Sequence, residues 1–142
     1  MARRGLFVAI LAVLIVSAGC SRPSSYEKFI TISRSVGGLY SFELDLSDSL
    51  ALWDLSFYTR STASDTLSLP LLVLWESPSG GEFQETVYMA PPRDGYSKEL
   101  YRYAFGVQEP GLWKLHVRPL AIPRGFCGLG IICVNNGTRQ TP

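Results

Sequence analysis

A period-two alternation of apolar and polar residues recurs along this chain and constrains its fold more than any other feature. Successive side chains of a β-strand point to opposite faces, so a strand with one buried face alternates in this way. The alternation is regular over residues 40–47 and recurs over residues 53–58, 82–89 and 113–118. Because no helical stripe of comparable length accompanies it, the pattern predicts an all-β chain.

Four further candidate strands lie between these segments. Residues 69–75 are almost continuously apolar, which predicts a central strand buried on both faces, with Pro70 at its start where a missing N–H is tolerated. Weaker strands are predicted over residues 26–33, 100–107 and 129–134, and turn-forming residues fill the breaks. A chain of 142 residues with strands at this spacing predicts one antiparallel β-sandwich of about eight strands.

The N-terminus has the pattern of an export signal. Arg3 and Arg4 precede an apolar run over residues 6–16, and small residues follow it. A signal peptide needs about 7–15 apolar residues and a membrane-spanning helix about 20. The run therefore predicts a signal peptide over residues 1–19 and not a membrane span.

The end of the signal resembles a bacterial lipobox, Ser17-Ala18-Gly19-Cys20, after which the chain is cut and the cysteine is acylated. Ser17 stands where leucine is usual, so ordinary secretion is the alternative. Acyl chains on Cys20 would hold the mature protein on a bilayer. We therefore predict a lipidated Cys20 with its tether over residues 20–25, a β-sandwich domain over residues 26–135 and a C-terminal tail over residues 136–142.

The residues after Cys20 indicate the location of the anchor. Residues 21–25 contain no acidic cluster of the kind that directs some bacterial lipoproteins to the cell surface. Ser21 is also not the aspartate that retains lipoproteins at the inner membrane. Both absences favour the outer membrane, with the domain facing the periplasm and membrane lipid bound through Cys20.

Charge and composition exclude several functional classes. The chain carries 13 Lys and Arg against 12 Asp and Glu, which is not the basic excess of a nucleic-acid-binding domain. His116 is the single histidine, and strand phase places it outward between Lys114 and Arg118 with no carboxylate to orient it. No Gly-x-Ser-x-Gly motif surrounds a serine, so we predict a protein that is not an enzyme and has no catalytic residues.

Cys127 and Cys133 are the cysteines of the predicted domain. Their spacing does not match a metal site, and no histidine lies near them. Six residues of extended strand span about 20 Å, so a regular strand predicts two unbridged, buried thiols. A disulfide is the alternative, and it requires Gly125, Gly128 and Gly130 to bend the segment. No motif predicts a metal, a cofactor or a small-molecule substrate.

Aromatic residues make up 12% of the chain, and they indicate where it could bind a partner. Trp53, Trp75 and Trp113 fall on the apolar phase of their strands, which predicts that all three are core residues. Tyrosines and arginines cluster between residues 91 and 103, and both types are enriched in protein interfaces. The candidate surface for a protein partner therefore comprises Arg93, Tyr96, Tyr101, Arg102 and Tyr103.

The order of short motifs along the mature chain carries a family resemblance. The signal is followed by Tyr26, Phe29 and Phe42, and then by Leu46-Ser47-Asp48-Ser49, Trp53-Asp54-Leu55, Leu69-Pro70-Leu71, Ser77-Pro78-Ser79-Gly80, Pro110-Gly111-Leu112-Trp113 and Gly128-Leu129-Gly130-Ile131. In this order, over nearly the full mature length, the chain resembles the gliding-motility lipoprotein GldH family. The resemblance implies an outer-membrane lipoprotein that supports the gliding and secretion machinery, with other cell-envelope proteins as partners and no catalytic residues.

Two further functions compete with this assembly role. A β-sandwich with exposed aromatic side chains suits a carbohydrate-binding or ligand-binding lipoprotein of a nutrient-uptake system, which coplanar exposed tryptophans would favour. A small envelope hydrolase is the third hypothesis, and the lone His116 and the missing nucleophile motif disfavour it. Fold alone does not choose among the three, because sandwiches host many functions.

Overall fold

The strands expected from the alternation form two sheets of four strands each. The computed structural model describes residues 25–64 and 66–140, so the signal peptide and Cys20 lie outside the described residues. Within the described part, the one helix is a single 3-10 turn at Ile32–Arg34, and the all-β prediction is confirmed. The strands are β1 (Ser25–Thr31), β2 (Tyr40–Leu46), β3 (Ala51–Ser61), β4 (Leu69–Glu76), β5 (Glu82–Met89), β6 (Tyr96–Phe105), β7 (Gly111–Pro119) and β8 (Phe126–Thr138).

The two sheets pack face to face as an antiparallel β-sandwich, as predicted. The first sheet has the strand order β1-β8-β3-β6, and the second has the order β2-β7-β4-β5. At one side of the sandwich, the edge strand β6 contacts the edge strand β5 of the other sheet. At the other side, β1 contacts β2 in the same way.

The core lies between the inner faces of the sheets, where burial of apolar side chains supplies the main stabilising free energy. Burial in β2 alternates strictly between buried and exposed residues. The predicted burial of both faces of β4 is wrong, because no further layer covers its outer face and Leu72 and Leu74 are only half-buried. The side chains that are fully buried include Tyr40, Phe42, Leu44, Leu55, Phe57, Leu71, Val73, Leu115, Leu129 and Ile131.

Strand β8 runs further than the sequence predicts. The C-terminal tail is predicted to begin at residue 136, and this boundary is wrong, because β8 continues to Thr138. Ladder pairing between β3 and β8 continues from Trp53 opposite Asn135 to Ala51 opposite Thr138, with a register shift on the way. Gly137 has a φ of 134°, which only glycine adopts freely, and this freedom lets the strand continue past the irregularity.

On the outside of the first sheet, Tyr58 lies flat across β8. A Cβ atom at Gly130 would lie 2.4 Å from the Tyr58 ring, so only glycine leaves room for the ring. The Tyr58 ring also stacks on Phe29 of β1, with ring centroids 5.6 Å apart, and its hydroxyl donates to Glu27 at 3.0 Å. Burial, and secondarily the hydrogen bond to Glu27, raises the pKa of Tyr58 to about 12.

The two cysteines of the domain are free thiols, and the prediction that they form no bridge is confirmed. Cys133 is buried on the inner face of β8, whereas Cys127 is only half-buried and donates to the carbonyl of Gly125 at 3.3 Å. Burial raises the pKa of Cys133 to about 12, so this thiol stays protonated.

The strand register divides the sandwich into two ends. Ser25, where β1 begins, lies opposite Val134, which in turn lies opposite Asp54 near the start of β3. The connections β2–β3, β4–β5 and β6–β7 belong to this end, which we call the N-terminal end. The connections β1–β2, β3–β4, β5–β6 and β7–β8 belong to the opposite end, which we call the distal end.

Candidate functional site

A cleft of about 440 Å³ opens between the two sheets at the N-terminal end. Strands β4, β5 and β7 form one wall, and the end of β6 with the β6–β7 connection forms the other. We call it the aromatic cleft, and its lining residues are Trp75, Phe83, Arg102, Phe105, Gly106, Val107, Gln108, Glu109 and Trp113.

Trp75 is the centre of the aromatic cleft. It is 3% exposed, and it lies directly opposite Phe83 in the β4–β5 register, so the two rings stack with centroids 5.9 Å apart and planes 14° apart. Phe105 and Trp113 meet the Trp75 ring edge-on at 6.1 Å and 5.9 Å. Edge-to-face and offset-stacked contacts are the favoured geometries of aromatic pairs, so this cluster is rigid.

The outer rim of the aromatic cleft is open to solvent. Phe83 is 48% exposed, because β5 is an edge strand and the next strand that would cover it does not exist in this sheet. Trp113 is half-buried, and its indole N–H donates to the backbone carbonyl of Glu109 at 2.9 Å. The rim therefore presents apolar ring surface whose only polar atom is already hydrogen-bonded.

A polar network closes the floor of the aromatic cleft. The Trp75 indole N–H donates to the Tyr101 hydroxyl at 2.9 Å, and that hydroxyl donates to the Glu85 carboxylate. Arg102 forms an ion pair with the same carboxylate, and its guanidinium carbon lies 5.0 Å from the centroid of the Tyr101 ring. Burial, and then the hydrogen bond to Glu85, raises the pKa of Tyr101 to about 12. Tyr101 is therefore a neutral donor that links β6 to β5.

Two irregularities in β6 bring Tyr101 and Arg102 to this position. The register between β3 and β6 shifts on both sides of Leu55, so adjacent residues of β6 turn toward the interior. Ala104 has a φ of 46°, and its N–H donates to the Asp54 carboxylate at 2.7 Å. Asn136 donates to the same Asp54 oxygen at 2.9 Å. Asp54 thus holds the bulged end of β6 in place.

The structure divides the predicted contact surface between two places. Arg102 lines the aromatic cleft and Tyr101 lies beneath it, as part of one network. Tyr103 points outside and is 71% exposed. Arg93 and Tyr96 lie at the distal end, about 20 Å away along β6. The five residues therefore do not form one cluster, and their role as a surface for a protein partner stays a prediction.

The prediction that all three tryptophans are core residues is wrong for two of them. Trp75 is buried, but Trp53 and Trp113 are only half-buried and pack against the edge of the core. Both lie near the starts of their strands, at the N-terminal end, where the sheets diverge to form the aromatic cleft. Strand phase identifies the inward face, but it does not show how far along the strand the core extends.

His116 has partners that the sequence analysis does not foresee. Its Nδ1 lies 2.8 Å from the Ser41 hydroxyl, and its Nε2 lies 3.5 Å from a Glu76 carboxylate oxygen. The expectation of no orienting carboxylate is wrong, because β4 lies beside β7 and Glu76 reaches across from it. Lys114 shares Glu76 at 3.5 Å. These residues lie on the outer face of the second sheet, away from the aromatic cleft.

In residues 25–64 and 66–140 we find no helix long and apolar enough to cross a membrane. The same residues bring together no group of three or more His, Cys, Asp or Glu side chains that could hold a metal ion.

The similarities of this chain to known proteins lie in solved structures alone. No family model and no curated protein matches the sequence. The mitogen of Yersinia pseudotuberculosis is 12% identical over 84% of this chain and 92% of its own, with a TM-score of 0.40. A carbohydrate-binding module specific for non-crystalline cellulose, CBM28, is 10% identical over 82% of this chain and 75% of its own, with a TM-score of 0.41. The CspB protease of Clostridium perfringens is 15% identical over 82% of this chain and 26% of its own, with a TM-score of 0.41. Similarities this weak carry no argument about function.

Proposed function

We propose that this protein is a non-catalytic binding component of a bacterial cell envelope, held on the outer membrane through acylated Cys20 and facing the periplasm. Its domain receives a segment of another envelope protein in the aromatic cleft. In this way it serves as an assembly component of the gliding machinery or of the secretion machinery associated with it. The lipobox and the motif order support the anchor and the machinery, and the described domain supports the contact site.

The aromatic cleft carries the proposal. Trp and Arg are enriched in binding hot spots, and Phe is enriched in protein interfaces. Phe83 is 48% exposed, and the buried Trp75 ring stacks on it and orients it. The ion pair of Arg102 with Glu85 likewise fixes the guanidinium before any partner arrives. A preorganised apolar pocket loses little conformational entropy on binding, which favours recognition.

Affinity purification of the tagged, full-length protein from its own membranes tests the assembly role. We expect components of the motility or secretion machinery to be recovered with the wild type and to be lost with Phe83→Ser. Tyr88→Ser is the matched control, because Tyr88 is also an exposed aromatic residue of β5 but lies outside the aromatic cleft. Equal recovery with both variants contradicts the proposed role of the cleft.

The anchor is tested separately through Cys20→Ser. We expect this variant to leave the membrane fraction and to appear in the soluble periplasm, since no acyl chain remains to hold it. Normal processing of Cys20→Ser together with sedimentation in the membrane fraction would contradict the lipid anchor. That result would not contradict the proposal that the aromatic cleft is a binding site.

Carbohydrate binding is the second candidate function, and one observation favours it. Phe83 and Trp75 are nearly parallel, and the exposed Phe83 ring lies in the same cleft as Arg102 and Glu109. A sugar ring would place its C–H face on such a platform and its hydroxyl groups against the charged side chains. Isothermal titration with soluble oligosaccharides distinguishes carbohydrate binding from the assembly role. Oligosaccharide binding that is lost in Phe83→Ser and kept in Tyr88→Ser would favour carbohydrate binding as the function of the cleft.

The absence of catalysis is part of the proposal, and the cluster of Ser41, His116 and Glu76 is the place to test it. We expect Ser41→Ala and His116→Ala to complement a deletion strain as well as the wild type does. A loss of function at normal protein level in both variants would instead assign chemistry to this cluster. The hydrolase hypothesis would then take precedence.

A further inference from the structure

Arginine is concentrated at the distal end of the sandwich. Five exposed arginines lie on or beside the distal connections: Arg34, Arg60, Arg93, Arg118 and Arg124. Two acidic side chains of the described residues lie at this end, Asp94 and Glu99, whose carboxylate accepts from the N–H of Ala90 at 3.1 Å, and the sequence adds Asp65. The distal end therefore carries a clear positive charge, although the whole chain is almost neutral.

The N-terminal half of the sandwich carries a net negative charge. Its basic residues in the described part are Arg102, Lys114 and Arg139, against a larger acidic set of Glu43, Asp45, Asp48, Asp54, Glu76, Glu82 and Glu109. Strand β3 alone has 11 residues and is about 35 Å long, several times the Debye length of about 8 Å. The negative half does not neutralise the positive field that a partner meets at the distal end.

The five distal arginines have no carboxylate partner within the described chain. The ion pairs found there involve Arg102, Lys114 and His116 only. Arg60 instead lies over the ring of Tyr96, with 5.9 Å from its guanidinium carbon to the ring centroid. These guanidinium groups therefore keep their bidentate hydrogen-bonding capacity available for an external acid.

Apolar side chains are exposed among the distal arginines. Val36 is 81% exposed and Ile122 is 57% exposed, and Leu120 lies in the same connection as Ile122. An arginine-rich surface with exposed apolar residues has the composition of a protein interface, whereas a solvated surface would favour lysine and glutamate.

The distal loops are fastened to the scaffold. Gly95 and Gly125 both have a φ of 76°, and a Cβ atom there would lie 2.5 Å from the Ser61 carbonyl oxygen and 2.6 Å from the Thr62 hydroxyl, respectively. The same approach forms hydrogen bonds from the N–H of Ser61 to Gly95 O at 2.9 Å and from the N–H of Thr62 to Gly125 O at 2.8 Å. The loops that carry Arg93 and Arg124 are therefore held against the end of β3.

We propose that the distal end is a docking surface for an acidic face of a partner protein in the periplasm. The choice of a protein rather than the bilayer rests on the proposed anchor at Cys20. The chain from Cys20 to Ser25 reaches at most about 18 Å, whereas β1 alone carries it about 20 Å from Ser25 toward the distal end. The distal connections lie beyond β1, further from Ser25 than the tether reaches, which favours a protein partner over the membrane that holds Cys20.

Charge reversal tests the docking surface. The full-length lipidated protein, held in discs of neutral phosphatidylcholine, is titrated with a fluorescent peptide of about 20 glutamates, a length that spans the distal surface when extended. We expect binding by the wild type that weakens as salt rises, and a loss of affinity of about tenfold or more in the double variant Arg93→Glu/Arg124→Glu. The double variant Lys28→Glu/Lys98→Glu is the matched control, because it changes the same charge at exposed strand residues outside the distal connections. It should retain the affinity within about twofold.

A photo-crosslinking residue at position 122 then identifies the occupant in living cells, with position 100, exposed on the outer face of the first sheet, as the control site. We expect a protein adduct at position 122 that Arg93→Glu/Arg124→Glu removes and Lys28→Glu/Lys98→Glu retains. An adduct indifferent to both variants overturns the proposal. Binding of the disc-held protein to phosphatidylglycerol vesicles but not to the peptide also overturns it, since the occupant would then be a lipid surface. Neither result depends on Phe83, so failure here is distinguishable from failure of the aromatic cleft.

Discussion

The two ends of this sandwich present different kinds of surface, and each underlies one of the two binding sites that we propose. At the N-terminal end, side chains of the strands themselves form the site, because bulges in β6 turn Tyr101 and Arg102 inward to meet Trp75 and Glu85. At the distal end, the loops carry the exposed groups and glycines fix the loops. The aromatic cleft holds its one arginine in an ion pair with Glu85, whereas the arginines of the distal end form no ion pair among the described residues. One scaffold thus separates a binding pocket from an electrostatic surface, and each can be altered alone.

The largest effect is expected from removing the centre of the aromatic cleft. Trp75→Ala deletes a buried ring that contacts four other aromatic rings, so it should lower the free energy of unfolding by about 3–5 kcal/mol. Trp113→Ala removes a half-buried ring and should cost about half as much. Urea unfolding followed by fluorescence measures both. Equal costs would mean that Trp113 belongs to the core after all.

A comparable break at the distal end comes from Gly125→Ala. The new Cβ atom would meet Thr62 and Ala63 below 3 Å, in a left-handed backbone conformation, so we expect a loss of about 2–4 kcal/mol. Gly38→Ala has a similar φ of 75° but nothing within 4 Å, and should cost only about 1 kcal/mol. Thermal unfolding of the two variants measures the difference, which reports the cost of the close contacts at Gly125, because both variants have the same backbone strain. Similar melting temperatures would show that the loop is not held closely.

A smaller change in stability is expected from a substitution at the N-terminal end. Ala104 has a φ of 46°, which an L-residue adopts only at a cost, so Ala104→Gly should raise the free energy of unfolding by about 0.5–1 kcal/mol. The hydrogen bond from its N–H to Asp54 needs no side chain and should persist. Denaturant unfolding measures the gain. A destabilised variant would show that the methyl group contributes packing that exceeds the strain.

The remaining effect concerns alkaline pH. The pKa of Tyr101 is about 12 in the folded protein, above the ordinary value of 10, so its stabilising contribution is complete below pH 10 and is lost as pH rises toward 12. Tyr58 contributes in the same direction. We therefore expect the loss of stability between pH 10 and pH 12 to be shallower in Tyr101→Phe and in Tyr58→Phe than in the wild type. An unchanged slope in both variants would contradict the burial of these hydroxyls.

The fold was accessible from sequence because alternation reports directly on which face of a strand is buried. Residues 40–47 predict β2 almost to the residue. The end of β8 was less accessible, because its pairing with β3 continues to Thr138 through a register shift. Local propensity records what a segment prefers alone, and ladder hydrogen bonds from a neighbouring strand can outweigh it.

The candidate site was accessible only in part. Tyr101 and Arg102 could be identified by residue type, but their joint inward orientation depends on bulges in β6, and the Asp54 carboxylate that holds the end of β6 lies on another strand. The same limit applies to His116, whose partner Glu76 is 40 positions away in the sequence and adjacent in the sheet. Alternation along one strand contains no information about which strand lies beside it.

The ion pair between Glu85 and Arg102 also has a consequence for solubility. Both residues belong to edge strands, β5 and β6, whose outer N–H and C=O groups would otherwise offer a template to a strand from another molecule. An inward-facing charge on an edge strand makes such an addition unfavourable, because an incoming sheet would bury the carboxylate against apolar side chains. The bulges of β6 further disturb the regular spacing that a foreign strand needs. The pair that joins the two sheets thereby also protects this open side of the sandwich from aggregation.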